Sequence, residues 1–84
     1  METKIKHLGN VNGINLHFDP LRNKESFLVM KKTGHIVTGF FDSKDNVLFE
    51  SNANLKSEDV VGIICGVSNV EQFKKIIEKF NEKV

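Results

Sequence analysis

The chain has 84 residues, 39% hydrophobic and 27% charged, which is ordinary globular usage and leaves room for a single domain over 1–84. Lys plus Arg number 12 against 11 Asp plus Glu, a formal charge of +1, too little to gather a phosphate backbone, so nucleic acid is not an expected partner. A single cysteine excludes an internal disulfide and a cysteine-rich zinc site and suits a reducing compartment; with no signal-type apolar run near Met1 and no stretch long enough for a bilayer, a cytoplasmic location without a membrane partner is expected.

Residues 3–19 read as a β-hairpin. Asn12-Gly13 lies between two β-prone runs and is a strong signal for a two-residue turn, because both residue types tolerate the left-handed backbone that turn needs. Pairing Val11 with Ile14 then puts Ile5, His7, Gly9, Val11, Ile14, Leu16 and Phe18 on one face. Lys4, Lys6, Leu8, Asn10, Asn15, His17 and Asp19 take the other. In that register His7 stands opposite Phe18, and Leu8 opposite His17. Asp19-Pro20 ends the hairpin, and a polar loop follows at 21–25.

Residues 27–30 and 36–41 are apolar at consecutive positions, the pattern of interior strands covered on both faces, with Lys32-Thr33-Gly34 as the turn between them. Val60-Val61-Gly62-Ile63-Ile64-Cys65 is a third such run, rich in β-branched residues. Periodicity leaves Val47-Leu48-Phe49-Glu50 open: a strand after the turn-forming Asp-Ser-Lys-Asp-Asn, or part of a short helix starting near Ser43.

At the C-terminal end Val70, Phe73, Ile76, Ile77 and Phe80 form a helical stripe, while Glu71, Lys74, Lys75, Glu78 and Lys79, continued by Glu82 and Lys83, make a mixed solvated face. Ser68 with Glu71 fits a capping box, which starts the helix at or just after Ser68, and Glu71 with Lys75 is a favourable i,i+4 pair. A rival reading runs one helix over 57–82, but Gly62 and Gly66 inside it would each cost about 1 kcal/mol relative to Ala. The expected fold is therefore α+β, a mostly antiparallel sheet of the N-terminal hairpin and two or three further strands, with one amphipathic C-terminal helix.

Phe27-Leu28-Val29-Met30-Lys31-Lys32-Thr33-Gly34, the following Ile36-Val37-Thr38-Gly39-Phe40-Phe41, and the later Gly66-Val67-Ser68 helix entry resemble the YunC-like family of small prokaryotic domains of unknown function. That family has the same order: an apolar strand, a Lys-Gly turn, a second strand with an internal Gly, and a Gly-Val helix entry. The resemblance covers about half the chain and singles out Gly34, Gly39, Gly66 and Val67. The family usually carries a Cys before the Gly matching Gly39; this chain has Thr38, so any role of that thiol is absent, and residues 43–58 depart from the family in length. A second likeness is to roadblock-type dimerisation modules, in which a strand pair precedes a long helix, although the N-terminal hairpin does not fit that pattern.

His7, His17 and Cys65 are metal-ligating types, but the hairpin register sends the two histidines to opposite faces and His35 lies at a distant turn. Structural or surface roles are thus expected, and no metal or cofactor is implied. Cys65 ends an apolar run with no neighbouring base, which reads as a core thiol rather than a nucleophile. Gly66, Val67 and Ser68, between strand and helix, could turn backbone N–H groups toward an anion, with Thr38 and Gly39 on the neighbouring strand as lining, although no P-loop signature accompanies them. Glu58 and Asp59, adjacent in sequence, suit a solvated element start better than an acid/base pair.

No nucleophile, base and orienting group assemble from the spacing, so the chain reads as a binding or interaction module more than as an enzyme. A small-ligand binder at the Gly66 turn is the alternative. Three runs are apolar on both faces but only one helix is available to cover them, which implies a homo-oligomer, most simply a two-fold dimer, unless residues 47–55 supply the second layer.

Overall fold

The computed structural model describes residues 4–50 and 55–80. Thr3, Glu82, Lys83 and the middle of the 47–55 stretch lie outside these. The chain forms β1 (Lys6–Val11), β2 (Ile14–Phe18), β3 (Ser26–Lys31), β4 (Ile36–Phe41), β5 (Val47–Phe49), a 3-10 turn at Ser57–Asp59, β6 (Val60–Cys65) and helix α1 (Val70–Lys79). This is the expected α+β class, with four strands beyond the hairpin where two or three were expected.

The strands make one sheet in the order β1-β2-β6-β3-β4-β5, antiparallel except for the parallel pair β2–β6. The hairpin and the β3-β4-β5 meander share no strand pairing. β6 joins them by inserting between β2 and β3, with Leu16, Ile63 and Val29 level across the three strands. An interior position on both edges explains why this run is apolar at nearly every residue: it has no solvent edge to keep polar.

Local chemistry sets each turn. Asn12 (φ 51°) and Gly13 (φ 88°) occupy the left-handed region, as the two-residue hairpin requires, and Gly34 (φ 92°) does so in the β3–β4 turn. The ambiguous 42–50 region resolves as a strand, because Asp42 organises the turn before it. Its carboxylate accepts the backbone N–H groups of Lys44 (2.8 Å) and Asn46 (2.9 Å), and Asp45 takes φ 61°. The bonds from Asn46 and Lys44 hold the Asp42 carboxyl below its usual range.

Helix α1 starts one residue later than the capping box implied. Asn69 is the N-cap, its Oδ1 accepting from Glu71 N at 2.9 Å, while Ser68 stays outside the helix. Glu71 forms its ion pair with Lys74, at 3.7 Å on the exposed face. The helical stripe packs on one sheet face: Phe73, Ile76 and Phe80 join Ile14, Leu16, Phe27, Val29, Phe41, Val47, Ile63 and Cys65 in a single core. Phe49 stacks on Phe80 with ring centroids 6.2 Å apart, and Leu55 is buried in the same cluster. Val47, Phe49 and Leu55 thus serve the face that the helix already covers.

The hairpin register departs from the expected one at a single point. Gly9↔Leu16, Asn10↔Asn15 and Val11↔Ile14 pair as the turn dictates, but the register shifts between His7 and Gly9, so that His7 pairs with His17 and Lys6 with Phe18. Leu8 is the extra residue of a β-bulge, and it packs against the core. Gly9, at φ 147°, sits in backbone space that side chains rarely reach, which is what lets the strand bend there. Burying Leu8 is the physical reason for the slip: a regular strand would leave it on the polar face.

Candidate functional site

The strand-to-helix turn, the anion site that the sequence suggests, is filled from within. Gly66 is buried against the backbone carbonyls of Arg22 and Asn23, in the loop that follows β2. Carbonyl oxygens repel an anion. Val67 N already donates to Cys65 Sγ at 3.4 Å, and the helix cap is occupied by the Asn69 side chain. Gly66, Val67 and Ser68 are therefore together, but as a packed turn with Ser68 alone exposed.

Thr38 and Gly39 are not on the strand beside β6. β3 intervenes, aligning Thr38 with Leu28 and Ile64, and Gly39 with Phe27 and Cys65. Alternation also sends the two to opposite sides. Gly39 is buried under the Phe27 ring, which occupies the space where a Cβ would stand, whereas Thr38 faces away from the helix.

Cys65 is 0% exposed, and burial pushes its thiol pKa up, against smaller opposing effects from the N–H groups of Val67 and Gly66 and from the Arg22 charge. A protonated, enclosed thiol is a poor nucleophile. Iodoacetamide near neutral pH should accordingly label native Cys65 far more slowly than the same chain in denaturant. Equal rates in the two conditions would contradict the burial and revive thiol chemistry.

Glu58 and Asp59 lie in the 3-10 turn, where Asp59 O accepts from Lys32 N at 2.8 Å and helps tie the β3–β4 turn to the start of β6. Between the β4–β5 turn and the outer side of α1 a shallow groove is lined by Lys44, Asp45, Lys75 and Glu78, charges of both signs that select no ligand.

The face opposite α1 is different. Register and alternation place Leu28, Met30, Ile36, Thr38, Phe40, Leu48 and Ile64 there, continued by Asn10, Asn15, His7 and His17 toward the β1 edge. Ile36 is 58% exposed, Leu48 50% and Phe40 44%, while Leu28, Met30, Thr38 and Ile64 are half-buried. No described element crosses this face.

At its polar end the bulge sets two imidazoles side by side. The rings of His7 and His17 have centroids 5.1 Å apart and are tilted by 53°. Partial desolvation, and then the neighbouring His7, pull the His17 pKa below its ordinary value. Asn15 Oδ1 lies 3.3 Å from His7 Nε2 and accepts from Asn10 Nδ2 at 3.0 Å. His35, by contrast, sits at the β3–β4 turn with Nδ1 2.9 Å from Thr33 Oγ1. Sequence reasoning missed the histidine pair because it ran the hairpin without a bulge; an isolated Gly9 inside a strand was the signal available.

These features define an α+β domain with one helix on one face of a six-stranded sheet and an open, largely apolar opposite face. No family model, curated protein or solved structure matches the chain. Among the described residues no helix is long and apolar enough to cross a membrane.

Proposed function

We propose that the chain is a non-catalytic self-association module, a two-fold dimer that pairs the open sheet faces of two copies. The observation that carries this is the run of Ile36, Phe40 and Leu48 on the meander side of that face, each well exposed and each next to half-buried aliphatic neighbours. Soluble monomers rarely present contiguous apolar surface of this kind. A second copy covers it most simply, because an isologous contact buries the same patch on both partners, and a chain this small gains a large share of its buried area by doing so. The polar hairpin end, with Asn10, Asn15 and the histidines, then lies at the rim, where hydrogen-bonding groups stay wet. Kinship with YunC-like domains and a reducing, cytoplasmic setting for the lone Cys65 belong to the same reading.

Light scattering over a dilution series tests it. The expected mass is that of two chains, falling to one on dilution. Phe40→Lys should move that transition to a concentration at least about tenfold higher, the equivalent of roughly 1.4 kcal/mol. Phe40 is exposed, so the variant should keep its circular dichroism spectrum and, at dilutions where both chains are monomeric, its unfolding midpoint. Phe41, its neighbour in sequence, is 8% exposed and belongs to the core; a charge there acts on folding and cannot report on the interface. A compact monomer at every accessible concentration rejects the proposal.

A further inference from the structure

We propose that His7 and His17 form a two-imidazole binding site for a borderline divalent metal ion such as Zn2+ or Ni2+, with Asn15 as the residue that positions His7. The bulge at Leu8 is what creates the site, since it alone brings His7 opposite His17 on adjacent antiparallel strands. Two imidazoles bound to one tetrahedral ion at about 2.0–2.1 Å per nitrogen hold their ring centroids about 5 Å apart, and rotation about the metal–nitrogen bonds leaves the interplanar angle free. The observed centroid separation of 5.1 Å matches that spacing.

The second observation is Asn15. Its Oδ1 is 3.3 Å from His7 Nε2 and receives the Asn10 amide at 3.0 Å, so the oxygen is oriented as an acceptor. With Nε2–H donating to that oxygen, the lone pair of His7 is on Nδ1. This is the arrangement by which a ligating histidine is usually held, one nitrogen toward the ion and the other N–H on a carbonyl oxygen that fixes ring and tautomer. His7 is exposed and His17 half-buried, so an ion and the waters completing its coordination have access. Imidazole suits zinc, nickel and copper, and among the described residues no carboxylate joins the pair, which selects against calcium and magnesium. The site is independent of self-association, since both histidines come from one chain.

Titration of the full chain with NiCl2 or ZnCl2, followed by the imidazole resonances in 1H–15N spectra, tests the assignment. The rings of His7 and His17 should shift together with one saturation curve, while His35 moves little. His7→Gln or His17→Gln should each weaken binding by at least about tenfold, and Asn15→Ala by roughly tenfold through loss of the positioning bond. His35→Gln should leave the curve unchanged, and circular dichroism should show all four variants folded. MgCl2 should produce no response. Equal responses of all three histidines, or retention of affinity in both His7→Gln and His17→Gln, would overturn the proposal and leave only isolated surface imidazoles.

Discussion

Gly39→Ala is expected to lower stability by about 1–3 kcal/mol or more, read as a fall in the urea midpoint at unchanged slope. Gly39 pairs with Phe27 across β3 and β4, and the Phe27 ring lies over it where a side chain would begin. The ring is not free to retreat. Phe27 is 0% exposed, and Phe41 and Phe49 flank it with centroids at 5.1 Å and 6.0 Å. An added methyl must therefore push an aromatic cluster rather than a flexible chain end. Combining Gly39→Ala with Phe27→Leu should recover part of the loss, because the shorter side chain vacates the contested space, so the double variant should be more stable than the sum of the single effects implies. Strict additivity, or an alanine variant as stable as the parent, would show that the close approach is not what requires glycine.

Phe73→Ala should cost about 3–5 kcal/mol, which in a domain whose whole stability is on the order of 5 kcal/mol leaves little folded population at room temperature. Phe73 is fully buried at the centre of the α1 stripe, between the helix and the sheet, with Ile76 and Phe80 on the following turns. A ten-residue helix has too few hydrogen bonds to persist alone in water, so its helicity depends on that packing. The expected signature is joint loss: helical circular dichroism and sheet protection against hydrogen exchange should disappear in one transition, because the covered face is exposed once the helix leaves. Loss of the helix signal with the sheet still protected would show that the sheet stands without α1 and would remove the packing argument. Val70→Ala is the control on the same helix. Val70 is 44% exposed, so its truncation should change stability by well under about 1 kcal/mol.

Some elements were legible in the residues because their cause is local. Asn12-Gly13 specifies a hairpin by turn chemistry, and the Val70 to Phe80 stripe specifies a helix by period. The β-branched run at Val60–Cys65 reads as a strand from its composition, and Gly62 with the following Gly66 disfavours a helix through it. That the core side of the hairpin includes Ile14 and Leu16 follows from the same turn, since register propagates two residues at a time from a fixed end. The apolar excess over what one helix can cover was likewise visible in the composition of three strands.

Other features were decided only when the elements met. Which strand lies beside which depends on long-range pairing that no local pattern encodes, so β6 between β2 and β3, and with it the distance of Thr38 and Gly39 from the Gly66 turn, came from the tertiary structure. Phe40 and Phe41 are the same residue type on one strand, and only the position of the helix makes one of them surface and the other core. The helix is capped by Asn69 rather than Ser68, following a turn in which Gly66 packs against the 22–23 backbone. The histidine pair is the sharpest case. Strict alternation separates His7 from His17, and they come together because burial of Leu8 favours a bulge whose bend Gly9 permits, a choice made by the packed core and invisible to any rule of period two.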